Sequence, residues 1–254
     1  MEHTLFDIKG KNAIVVGGAG DLGQSMVEGL LEAGANVVVI GRGERLTNLV
    51  EEYLQKGYSV TGVNAELSDR EQIEPSFQEA VEKLGGTLDI IVNAAGIQRR
   101  YPCEEFPLKD WDDVLEINLT VLFRYCQLAA KEMMKTGGGK IINVASMLSF
   151  FGGFTVPAYA ASKGGVAQLT KAMSNEWASK GINVNAIAPG YMDTKMNAAL
   201  LANPGRNAEI TARIPQHRWG TGDDMKGATI FLASAASDYI NGVVLPVDGG
   251  YLGK

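Results

Sequence analysis

Residues 12–41 read NAIVVGGAGDLGQSMVEGLLEAGANVVVIG, and this stretch limits the possible folds more than any other. A short apolar run stops in a cluster of glycines. A helical repeat, QSMVEGLLEAG, follows and ends at Gly34, and a second apolar run, ANVVVIG, begins at once. Apolar runs of this length without polar alternation read as strands buried on both faces, which is the condition of a parallel sheet. Strand, glycine turn, helix and strand together form a βαβ unit, the building block of an open sheet with helices on both faces.

The pattern continues to the last residues. Further strands are expected at 58–67, 87–96, over GGGKIINVAS, at 182–190 and over NGVVLPVDGG. Between them, SDREQIEPSFQEAVEKLGG predicts an amphipathic helix capped by Ser68, and a long helix is expected from Asp110 to Lys135. Another helix starts near Pro157, since proline suits a first turn. The sum is one α/β domain over 1–254, a Rossmann-type doubly wound parallel sheet of about seven strands. Residues 191–221 are polar and broken by proline and glycine, the composition of a lid over a substrate site.

Glycines in a strand-to-helix turn let the backbone approach a pyrophosphate, and the helix N-terminus offers free N–H groups and a positive dipole end. At the tip of the second strand stand Gly41 and Arg42, with no carboxylate. Arginine there suits a ribose 2′-phosphate, which leans the reading toward NADP(H); a merely solvated Arg42 would leave the site to NAD(H). The polar end of the fourth strand, Asn93-Ala94-Ala95-Gly96, forms another wall of the same crevice. Asn118 is an amide within an apolar stretch, so it is either a hydrogen-bonded lock or part of a proton path.

Ser146, Tyr159 and Lys163 offer a hydroxyl, a phenol and an amine, although taken alone the last two also read as a half-buried helix aromatic beside a solvated lysine. Tyr159 and Lys163 are four residues apart, on one face of a helix. An ammonium beside a phenol favours the phenolate, so the tyrosine pKa is expected to fall. A tyrosine tuned in this way passes a proton to or from a substrate oxygen. The strand ending at Ala145 delivers Ser146 to the same place as a hydroxyl donor.

Other classes are disfavoured. A net charge of −6 with scattered cations argues against nucleic acid. No apolar run reaches membrane-spanning length and the first residues have no signal-peptide core, so a cytoplasmic protein is expected. Cys103 and Cys126 have no metal or redox spacing, and no metal is expected.

Taken together, the turn Gly17 to Gly23, Asn93 to Gly96, Asn118, Ser146, Tyr159-x-x-x-Lys163 and Pro189-Gly190 with Thr194 resemble the short-chain dehydrogenase/reductases over essentially the whole chain. The resemblance implies that Tyr159 is the general acid/base and that Ser146 binds the substrate oxygen. It implies that Lys163 lowers the tyrosine pKa and holds the nicotinamide ribose, and that Asn118 supports a water relay. It further implies a cofactor site of Gly17, Gly20, Asp21, Leu22, Gly23, Gly41, Arg42, Glu66, Leu67, Asn93, Ala94, Ala95, Gly96, Tyr159, Lys163, Pro189, Gly190, Met192 and Thr194. A homotetramer is implied too. Three positions depart from the family pattern. Val16 removes a hydroxyl that usually ties the turn, and Ala94 replaces a second asparagine. Asp21 replaces the middle glycine, where its carboxylate either repels phosphates or turns outward to cap the helix.

Arg99 and Arg100 in GIQRR, and Arg218 at the end of the lid, point to a small acidic substrate, because arginine grips a carboxylate bidentately; the alternative is that they pair with surface acids or a neighbouring subunit. With Ser146, Met147 and Tyr159 they make the expected substrate set. The stretches GIQRR, KIINVASMLSFFGG, NVNAIAPGYM, RIPQHRWG and FLASAASDYINGVVLPVDGG resemble the sugar-acid branch of the family, which holds the gluconate dehydrogenases. A 3-oxoacyl-carrier-protein reductase and a non-catalytic dinucleotide-sensing scaffold are the competing readings.

Overall fold

The computed structural model describes residues 5–254. Its seven strands are β1 (Asn12–Val16), β2 (Asn36–Gly41), β3 (Val60–Asn64), β4 (Ile90–Asn93), β5 (Gly139–Val144), β6 (Ile182–Pro189) and β7 (Val244–Val247). They form one parallel sheet in the order β3-β2-β1-β4-β5-β6-β7. The chain order reverses between β1 and β4, so a crevice opens at the carboxyl ends of these strands. Helices α1 (Asp21–Glu32), α2 (Gly43–Gln55) and α3 (Arg70–Lys83) join the first four strands. After β4 come α4 (Leu108–Leu115) and α5 (Leu122–Thr136), then α6 (Pro157–Trp177) between β5 and β6. Two separate apolar clusters cover the two faces of the sheet, as a doubly wound fold requires. β7 is a half-buried edge strand, where Pro246 is tolerated.

Three local expectations are corrected. The helix expected from Asp110 to Lys135 is interrupted by a π turn over Glu116–Val121. Its centre, Asn118, is fully buried and clamps Ile97: its Oδ1 accepts from the Ile97 N–H at 2.8 Å and its Nδ2 donates to the Ile97 carbonyl at 3.0 Å. Asp69, not Ser68, caps α3 by accepting from the Glu71 N–H at 3.0 Å. Ser68 donates to Glu66 instead, at 2.8 Å. Finally α2, in a stretch to which the sequence reading assigns no element, buries Leu46, Leu49 and Tyr53 along one helical face.

Residues 191–221 contain α7 (Ala198–Leu201) and α8 (Pro204–Arg213), and α9 (Asp223–Ala233) follows. The base of this excursion is clipped shut. Asp193 N–H donates to the Gly220 carbonyl at 2.8 Å, and Gly220 N–H donates to that of Tyr191 at 2.9 Å. Its apolar underside, Ile210 and Ile214, packs with Met147, Tyr191, Trp219 and Tyr251 in a small core of its own.

Candidate active site

The glycine turn is shaped by contact as well as by backbone freedom. Gly17 has φ +74°, and a Cβ there would come within 2.6 Å of the Ala95 backbone. A Cβ on Gly23 would meet the Gly17 carbonyl oxygen at 2.4 Å. Val16 has no hydroxyl to tie the turn, and the end of β1 is joined to β4 through backbone alone, with Ala94 N–H donating to the Val16 carbonyl at 2.9 Å. No side chain caps the first turn of α1, so its N–H groups face the crevice. That crevice, of about 560 Å³, runs from Arg42, Arg45 and Glu66 past the turn to Ser146, Tyr159 and Lys163. An uncapped helix end beside a glycine-rich turn, whose one side chain is the Ala19 methyl, fits a dinucleotide pyrophosphate.

Of the expected cofactor set, all but Asn93 line this crevice. Asn93 is a correction. It is 2% exposed, and its Nδ2 donates to Asn143 Oδ1 at 3.0 Å and to Cys126 Sγ at 3.3 Å, inside the core. Asp21 sits on the crevice wall with its Oδ2 accepting from the Lys195 N–H at 2.7 Å, so the carboxylate is turned toward the 191–221 excursion. Arg42 is ion-paired with Glu66 across the ends of β2 and β3. Arg45, which the sequence reading leaves out, joins them on the wall and lies 3.9 Å from Asp21; its place on the first turn of α2 was hidden with that helix.

The three chemical groups meet where the crevice ends. Ser146 sits just past β5, with its Oγ accepting from the Leu148 N–H at 3.1 Å. Tyr159 lies in the first turn of α6, half-buried, and Lys163 one turn on is 2% exposed. Lys163 Nζ donates to the Val144 carbonyl at 2.6 Å and stands 5.7 Å from the Tyr159 ring centre. The expected fall in the tyrosine pKa is overturned. Burial raises it, and a hydrogen bond with Ser146 opposes that rise only in part. Lys163, 5.7 Å from the ring centre, does not reverse the rise, and burial pulls its own pKa down to about 8. Asn118 lies behind this group, and its amide hydrogens are both used, one on Ile97 and one on Ser162 Oγ at 3.0 Å. A relay that needs a donor from this side chain therefore finds none.

A second cavity, of about 580 Å³, shares Ser146 and Tyr159 with the first. Met147 and Arg100 line it, as expected, but Arg99 and Arg218 do not. Arg99 Nε lies 3.6 Å from Asp110, and Arg218 forks onto Asp224 at 2.7 Å through each terminal nitrogen. In their place α8 supplies Arg206 and Arg213, which the sequence reading missed. Their i,i+7 spacing on one helix face was the available signal.

A family model described as short chain dehydrogenase matches residues 11–205. The 2-dehydro-3-deoxy-D-gluconate 5-dehydrogenase of Bacillus subtilis is 46% identical over 99% of this chain and 98% of its own. That of Escherichia coli is 47% identical over the full length of both. Among solved structures, the gluconate 5-dehydrogenase of Burkholderia cenocepacia, crystallised with NADP and tartrate, is 38% identical over 98% of each chain, with a TM-score of 0.94.

Proposed function

The chain belongs to the short-chain dehydrogenase family and is an NAD(P)-dependent oxidoreductase, and on that premise we propose that it interconverts a secondary hydroxyl and a ketone on a sugar acid, of the 2-dehydro-3-deoxy-D-gluconate or gluconate type. One observation carries the reading: Ser146 and Tyr159 stand at the junction of two cavities, one fit for a dinucleotide and the other lined by arginines. The bound nicotinamide supplies or accepts the hydride. Tyr159 gives its phenolic proton to the new alkoxide during reduction and takes one from the hydroxyl during oxidation. Ser146 holds the same oxygen by a hydrogen bond, and Lys163 places an ammonium behind the phenol. The raised tyrosine pKa keeps the acid form at neutral pH, which suits ketone reduction. Alcohol oxidation needs the phenolate and is expected to speed up as pH rises into the alkaline range.

NADP(H) is the proposed partner, supported by Arg42 and Arg45 at the far end of the crevice. Arg42→Ala should raise KM for NADP about tenfold, the worth of one charged hydrogen bond, while KM for NAD changes little. Equal effects on both would refute the 2′-phosphate reading. Asp21 sits where phosphates approach, so Asp21→Asn, which keeps an acceptor for Lys195 N–H and loses the charge, should tighten NADP binding by about two- to fivefold. Titration calorimetry reads this directly, and weaker binding would mean the carboxylate assists the cofactor. Residues 191–221 act as the lid.

We also assign a cytoplasmic homotetramer. Among the described residues no helix is long and apolar enough to cross a membrane. The open edge at β7 and the exposed side chains of Phe154 and Leu108 offer surface for assembly. The deciding experiment follows absorbance of the reduced nicotinamide with D-gluconate and 2-deoxy-D-gluconate against NAD and NADP. Turnover of either acid but not of glucose is expected. Silence with both, together with reduction of a 3-oxoacyl thioester, would overturn the proposal.

A further inference from the structure

We propose that Arg213 binds the carboxylate of the substrate, and that Tyr251 holds its guanidinium ready for that contact. This rests on the sugar-acid reading above and names the residue that enforces it. Three arginines line the second cavity, and they are not equivalent. Arg206 is engaged by Glu209 at 2.5 Å. Among the described residues, Arg100 and Arg213 have no carboxylate within ion-pair distance, so their charge faces the cavity unneutralised. Of these two, only Arg213 is held in place. Its guanidinium carbon lies 4.4 Å from the centre of the Tyr251 ring. A guanidinium seated on an aromatic face keeps its plane fixed and its N–H edge free for a bidentate carboxylate.

Tyr251 is itself fixed. It is 5% exposed, stacked on Phe151 at 5.8 Å and edge-on to Tyr191 at 5.4 Å. The same cluster contains Met147, the neighbour of Ser146. A continuous packed path thus runs from the oxygen-binding serine through Met147 and Tyr251 to Arg213. The turn that delivers Tyr251 is built for it. Gly249 and Gly250 have φ +64° and +90°, and a Cβ on Gly249 would meet Ile214 at 2.8 Å. The Asp248 carboxylate ties the turn, accepting from the N–H groups of Gly250 at 2.9 Å and Leu252 at 2.8 Å. Segment 248–254 and the end of α8 therefore form one rigid piece that sets how far the carboxylate sits from Tyr159. That distance selects which carbon meets the nicotinamide, because hydride transfer tolerates little misplacement.

The test uses NADP-loaded protein and titration calorimetry with D-gluconate and with the neutral hexitol D-sorbitol. Arg213→Gln should weaken D-gluconate binding roughly 10- to 100-fold, the value of a charged bidentate contact. Affinity for D-sorbitol and for NADP should stay unchanged. Arg213→Lys, which keeps the charge without the fork, should recover part of the loss. Unchanged D-gluconate affinity in Arg213→Gln, or an equal loss of D-sorbitol affinity, overturns the proposal, the second because it marks a purely structural role. If wild type turns over gluconates and Arg213→Gln binds them normally, this inference alone fails. If wild type binds D-gluconate through Arg213 but never turns over a sugar acid, the proposed function fails and the inference stands. If wild type binds no hexonate, both fail.

Discussion

Tyr159→Phe is expected to lower kcat by about 10²- to 10⁴-fold, the usual share of a positioned general acid, while the NADP dissociation constant stays within about twofold. The substitution removes one oxygen and keeps the ring. Tyr159 is half-buried in the first turn of α6, with Ser146 on its hydroxyl and Lys163 near its ring face, so phenylalanine leaves the packing in place. What it deletes is the proton. Because burial holds the phenol above its ordinary pKa, wild-type oxidation should rise with pH through the alkaline range, and the residual rate of the variant should lose that rise. Stopped-flow nicotinamide absorbance and a pH series measure both. A variant retaining full turnover, or the same alkaline limb, would remove Tyr159 from the chemistry.

How much of this was legible depends on whether the cause was local. The strands were, because NAIVV, NVVVIG and IIV are buried on both faces and show it as unbroken apolar runs. The shared face of Tyr159 and Lys163 follows from helical spacing alone. Asn93 was not legible: both faces of β4 are core, with Ile91 in one apolar cluster and Val92 in the other, so strand alternation does not separate an amide facing the crevice from one held inside. Nor was the π turn at Asn118, since its cause is Ile97, twenty-one residues away, and the apolar repeat runs on regardless. Arg99 and Arg100 are adjacent in an extended loop, so one meets Asp110 and the other faces the cavity. The tyrosine pKa failed for a different reason. Spacing shows proximity, but burial of both groups outweighs it, and burial belongs to the assembled fold.

Lys163→Met is the second change expected to have a large effect, and its stability and activity should separate. The ammonium is buried, and its pKa falls from 10.5 to about 8. Since the folded value lies below the unfolded one, the unfolded chain holds this proton more tightly. Folding therefore bears the full penalty below pH 8, on the order of 3 kcal/mol. The penalty lifts between pH 8 and 10.5. The bond to the Val144 carbonyl, 2.6 Å long, returns about 1.5–3 kcal/mol, so the two nearly cancel at neutral pH. The variant should then melt within a few degrees of wild type at pH 7. As pH rises from 8 toward 10.5, wild type alone sheds its penalty and should gain on the variant. Below pH 8, where Lys163 is an ammonium, turnover is expected to fall by about 10²- to 10³-fold, because Tyr159 loses the cation behind it and the crevice loses a donor at its reacting end; above pH 8, where wild type sheds that charge too, the deficit should narrow. Thermal melts across that pH window, beside initial rates, decide the matter. A melting difference that ignores pH would show that Lys163 is not buried as an ammonium, and preserved turnover would show that its charge plays no part in the reaction.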